Sequence, residues 1–144
     1  MNFEKIDRKI SVIFATDVVD YSLHMEKDET GTVTSLRAYE KILKEAFKKH
    51  GGRLFNTGGD SFMAEFSSAV KAVECAIDFQ SIVKEKKNIK PALSFRIGIN
   101  AGDVILEKKN LLGDGVNVAA RLEQLAQPDG ITISKSIFDY IEGK

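Results

Sequence analysis

KISVIFATD, residues 9–17, is apolar at most positions and rich in β-branched and aromatic side chains. Such a run predicts a central strand buried on both faces. It ends in an acid, Asp17. A polar loop is expected next, then a helix over 30–50 with Val33, Leu36, Leu43, Ala46 and Phe47 on one face. Gly51 and Gly52 stop that helix. RLFN (53–56) and SFMAEF (61–66) flank the turn Gly58-Gly59-Asp60 and predict a β-hairpin. A second helix follows over 68–86, with Val73, Ala76, Ile77 and Phe79 among its apolar positions. From Leu93 to Asn100 the alternation is clean. Leu93, Phe95, Ile97 and Ile99 point one way; Ser94, Arg96, Gly98 and Asn100 point the other. Gly102-Asp103 predicts a turn into a further strand, VILE (104–107). A loop over 108–115 leads to a helix over 116–125, stopped at Pro128-Asp129-Gly130. A short strand, ITIS (131–134), and a last helical segment, SIFDYIE (136–142), close the chain. The order β-α-β-β-α-β-β-α-β-α predicts an α+β fold of ferredoxin-like, split-βαβ type, with helices on one face of the sheet.

Composition agrees with one globular domain over 1–144. Hydrophobic residues make up 43% and charged residues 29%, and the formal net charge is zero. A broad nucleic-acid or membrane-surface binder would be basic, so neither partner is expected. A single cysteine, Cys75, forbids an intrachain disulfide, and a cytoplasmic location fits. Cys75 reads as core; His24 and His50 have no second ligand at metal spacing. No run approaches the ~18 apolar residues of a membrane span. The charged start, MNFEKIDRK, is unlike a signal peptide.

Chemistry concentrates in a few positions. Asp17 at a strand exit and Asp60 in the hairpin turn can meet at one sheet end. Two carboxylates there either hold a hard divalent cation or serve as separate turn formers. Asn117 and Arg121 lie four apart on a helix, hence on one face. They suit a sugar oxygen and a phosphate, or form a solvated polar face. Arg96 on the polar side of its strand is either exposed or turned to a ligand.

FATDVVDYS (14–22), TGGDSFMAEF (57–66), FRIGINAGDV (95–104) and GDGVNVAARLEQLAQP (113–128) together resemble the class III nucleotidyl cyclase catalytic domain, the adenylyl and guanylyl cyclases of bacterial type. The GGDSF text is also similar to the GGDEF diguanylate cyclases, which lack the VNVAAR block. The cyclase resemblance implies ATP converted to cyclic AMP and pyrophosphate, with two Mg²⁺ or Mn²⁺ ions per site. The ions would activate the ribose 3′-hydroxyl for attack on the α-phosphate. Asp17, Asp60 and the Val18 carbonyl match the metal ligands. The loop over 18–22, with Val19, Tyr21 and Ser22, matches backbone N–H groups for the phosphates. Arg96 matches a phosphate contact. Asn117 matches the ribose-orienting residue, and Arg121 the arginine that stabilises charge in the transition state.

The resemblance implies a head-to-tail homodimer whose two sites each draw on both chains. Asn56 and Asn110 stand where many adenylyl cyclases read the base with a lysine and often an aspartate. An amide both donates and accepts, so ATP and GTP stay open. Asp20 stands where the family often has glycine. The family domain continues for some tens of residues, so a C-terminally shortened domain is expected. The alternatives are a guanylate cyclase, or an impaired, cyclase-like dimerisation or nucleotide-sensing module.

Overall fold

A computed structural model describes residues 6–144; residues 1–5 of the charged N-terminal stretch lie outside that range. Strand β1 (Asp7–Val18) is the centre. Its residues from Ser11 onward are buried, as the apolar run requires. The sheet runs β2 (Arg53–Gly58), β3 (Ser61–Phe66), β1, β4 (Phe95–Glu107), β5 (Asn110–Leu112), and β6 (Ile131–Ile133) pairs with β4. Every pairing is antiparallel except the parallel β4–β6 pair. The helices are α1 (Tyr21–Lys27), α2 (Glu29–His50), α3 (Ala69–Glu85), α4 (Asp114–Leu125) and α5 (Lys135–Ile141). This is the α+β class expected from the sequence. Among the described residues, no helix is long and apolar enough to cross a membrane.

Strand pleating sorts the core into two layers. Val12, Phe14 and Val18 of β1 join Leu36, Leu43 and Phe47 of α2 and Cys75 and Phe79 of α3. Ile13 and Ala15 face the other way, onto Val116 and Ala119 of α4. Thus α2 and α3 share one face, as anticipated, whereas α4 takes the opposite one. Burial pushes the Cys75 thiol up to about 12, in keeping with a core residue.

Several details depart from the sequence expectation. The polar loop after β1 contains α1, which buries none of its residues and so lacks an apolar stripe. Of the apolar positions named for α3, Ala76 and Phe79 are buried and Ile77 is exposed; Ala72, Cys75 and Val83 complete the buried stripe. No turn occurs at Gly102-Asp103. β4 continues through it, in unbroken register with β1 from Asp7↔Leu106 to Val18↔Phe95. The polar side of β4 is not open to solvent either, because α4 lies on it. Gly98 makes that possible: a Cβ there would collide with the Glu123 backbone nitrogen and sit 2.5 Å from the Ala119 carbonyl oxygen. A Cβ at Gly102 would stand 3.3 Å from Gly115 Cα. These glycines serve helix-on-sheet packing, not a turn.

Overpacking against backbone has no side chain to yield. Gly98→Ala is therefore expected to destabilise the domain by about 3 kcal/mol. An unchanged urea unfolding midpoint would contradict the tight α4–β4 seat.

Candidate active site

Asp17 and Arg96 are register partners on neighbouring antiparallel strands, so their side chains leave the sheet together. Both turn toward the α4 face. Arg96 grips Asp17 with two bonds, Nε to Oδ1 at 3.1 Å and Nη2 to Oδ2 at 2.8 Å. The last turn of α4 closes over this pair. Gln124 Nε2 donates to Asp17 Oδ2 at 3.2 Å and to Glu123 Oε2 at 2.6 Å. Gln124 Oε1 accepts from Arg96 Nη2 at 3.3 Å, and its backbone oxygen accepts from Nη1 at 3.4 Å. Glu123 Oε2 lies 3.7 Å from Arg96 Nη2.

Asp60 approaches from the hairpin turn, where its Oδ2 accepts the Val18 N–H at 3.0 Å. Burial raises the Asp60 pKa; the Val18 N–H pulls it down, and the Asp17 charge pushes it up again. Asp17 and Asp60 therefore share one electrostatic environment. Arg96 is held more firmly protonated, chiefly by its hydrogen bonds to Asp17. Glu123, only 4% exposed, is pushed up to about 8 by burial first and by the Asp17 charge second.

Asp17 and Asp60 bring carboxylate oxygens to this end of the sheet, the donor type that suits Mg²⁺ or Mn²⁺. Among the described residues no group of three or more His, Cys, Asp or Glu converges on a metal position. A sparse protein contribution fits Mg²⁺, which keeps waters and is shared with substrate phosphates.

The Val19 N–H donates to Ser94 O at 2.8 Å, so the Val18 and Val19 donors are both engaged within the chain. Tyr21 and Ser22 open α1, and Asp20 precedes them in the left-handed conformation with φ 56°. Asn56 is exposed beside a bulge in β2. Asn110 uses its Oδ1 to accept the Leu111 N–H at 3.0 Å. Asn117 and Arg121 are exposed on the outer side of α4, whose inner stripe is Val116, Ala119 and Glu123. Among the described residues, neither forms a side-chain hydrogen bond or ion pair with the acidic pair. The structure thus gathers Asp17, Val18, Asp60 and Arg96 and leaves Asn56, Asn110, Asn117 and Arg121 outside that cluster. Sequence reasoning missed Glu123 and Gln124. Glu123 carried a signal, a charge on the buried stripe of an amphipathic helix; Gln124 carried none.

The family model described as adenylate and guanylate cyclase catalytic domain matches residues 3–144. "Putative adenylate cyclase 3" of Rhizobium meliloti is 43% identical over 145 residues, covering 98% of this chain and 25% of that protein. The crystal structure of an adenylate/guanylate cyclase/hydrolase from Silicibacter pomeroyi superposes with a TM-score of 0.85 at 34% identity, covering 94% of this chain and 81% of that one. The guanylate cyclase domain of RhGC from Catenaria anguillulae, in complex with GTP, gives a TM-score of 0.85 at 26% identity, covering 96% and 85%. The chain spans about a quarter of the length of that Rhizobium meliloti protein and about two fifths of the next curated relative.

Glu123 binds its proton more tightly folded than unfolded, so its contribution to stability falls as pH rises from its ordinary 4.5 to about 8. Glu123→Gln is expected to gain stability relative to wild type across that window, read by urea unfolding. A difference that stays flat with pH would overturn this burial of a neutral acid.

Proposed function

Because the chain belongs to the adenylate and guanylate cyclase catalytic domain family, we propose that it converts ATP to cyclic AMP and pyrophosphate at two sites shared between two copies. The ribose 3′-oxygen bonds to the α-phosphorus as the bond from that phosphorus to the bridging oxygen breaks; pyrophosphate leaves and the hydroxyl proton passes to solvent. The observation that carries this reading is the convergence of Asp17 and Asp60 at one sheet end, where Asp60 Oδ2 accepts the N–H of Val18, the residue next to Asp17. Together with the Val18 carbonyl they would hold Mg²⁺ or Mn²⁺, which when bound supplies charge stabilisation for phosphoryl transfer.

The protein's own groups do the positioning. Arg96 brings a planar fork of donors suited to a phosphate. The N–H groups of Tyr21 and Ser22 open a helix and have no backbone partner among the described residues. Asn117 would orient the ribose, and Arg121 would meet the charge that develops at the α-phosphate. Both lie exposed on α4, and Leu125, one turn beyond Arg121, is 73% exposed. A polar pair and a bare leucine along one helix stripe support burial of this face against a second copy. ATP is favoured because the curated relative named above carries an adenylate cyclase name. The amides of Asn56 and Asn110 also suit GTP. A second reading, a nucleotide-binding dimerisation module without turnover, is favoured by the engagement of both Asp17 oxygens within the chain.

Purified protein with Mn²⁺ and ATP, or GTP, is expected to yield the cyclic monophosphate by mass spectrometry. Asp17→Ala/Asp60→Ala and Asn117→Ala/Arg121→Ala should each lose more than about 100-fold in rate. An equimolar mixture of the two should recover about a quarter of wild-type activity, since half the random dimers carry one intact site. No recovery on mixing sinks the shared site; nucleotide binding by calorimetry without product from either base supports the second reading.

A further inference from the structure

Both oxygens of Asp17 are engaged, and the partners come from two different elements. Arg96 reaches across from β4, and Gln124 reaches down from α4. Gln124 touches both members of the pair. Its amide nitrogen donates to Asp17, its amide oxygen accepts from Arg96, and its backbone oxygen accepts from Arg96 again. It is presented from a rigid platform, because Gly98 lets the α4 backbone seat directly on β4 at Ala119 and Glu123. Asp17 is 8% exposed, so a guanidinium held this way stands in the place of any other cation.

We propose that Arg96 and Gln124 form a clamp that holds Asp17 closed against divalent cations, with Gln124 the positioning residue that keeps the guanidinium on the carboxylate. A divalent ion binding Asp17 exchanges one positive partner for another. The released guanidinium becomes a free donor fork for an anionic phosphate group. Metal loading and readiness for phosphate are then one event, and Gln124 sets the cation concentration at which it happens. This inference rests on the metal-binding reading of Asp17 and Asp60.

The test is Mn²⁺ titration of the nucleotide-free protein, with free Mn²⁺ read by electron paramagnetic resonance. Wild type is compared with Asp17→Asn, Gln124→Leu and Gln124→Ala, the last suiting an exposed helix position. Asp17→Asn is expected to abolish the site. Gln124→Leu and Gln124→Ala are expected to bind Mn²⁺ roughly three- to tenfold more tightly, as a charge-assisted hydrogen bond is removed from the closed form. Their unfolding midpoints should stay near wild type, separating a clamp from a merely structural contact. No Mn²⁺ binding in any variant, or binding indifferent to Asp17→Asn, sinks the metal reading itself. Binding lost in Asp17→Asn but unchanged or weaker in both Gln124 variants overturns the clamp alone.

Discussion

The contact between α4 and β4 at Gly98 is the constraint on which the site depends. A strand position without a side chain lets the helix backbone rest on the sheet, and Gly102 against Gly115 repeats the approach further along β4. Asn100, between them, donates its Nδ2 to Gly115 O at 3.0 Å and ties the start of α4 to the strand. The helix is thereby fixed at both ends. Its final turn lands on the Asp17–Arg96 pair through Gln124, and Asn117 and Arg121, earlier along the same outer stripe, are exposed. One helix thus closes on its own chain's acidic pair at its C-terminal end and leaves an exposed polar stripe along the turns before it.

The charges at this end of the sheet do not balance. Among the described residues, Asp17, Asp60 and Glu123 share Arg96 as their one cationic partner. A buried ion pair of this kind contributes little net stability, since desolvation offsets the attraction. Burial of the third acid is relieved instead by protonation, which is why Glu123 rises to about 8. An arrangement with one cation for two fixed carboxylates leaves room, electrostatically, for another positive charge. That surplus of acid, more than any one distance, separates this cluster from an ordinary structural ion pair.

Elsewhere the ion pairs are peripheral. Lys9 and Arg53 both hold Glu65 below the usual carboxylate range, although burial alone would raise it. They knit β1, β3 and β2 at the end of the sheet remote from Asp17. Arg53 also donates to the Lys109 carbonyl at 2.9 Å, tying β2 to the tip of the β4–β5 hairpin. Partly exposed pairs of this type steady strand edges more than they stabilise the fold.

The sequence by itself determined the local elements and the acids they end in. Continuous apolar text meant a central strand, a glycine turn meant a hairpin, and helical periodicity placed α2 and α3; Asp17 and Asp60 followed from a strand exit and a turn. Those signals are short-range, so they are written where they act. Only the tertiary structure decided that Gly98 and Gly102 are packing positions, that α4 lies on the face opposite α2 and α3, and that Arg96 belongs to Asp17. Asp17 and Arg96 are 79 residues apart, and their pairing follows from the register of β1 on β4. Register is set by the whole buried face at once, since a one-residue slip would turn every side chain of β4 to the wrong side. No local pattern carries that information, and Gln124, polar and on an exposed helix position, became part of the site only when the glycines let its helix down onto the sheet.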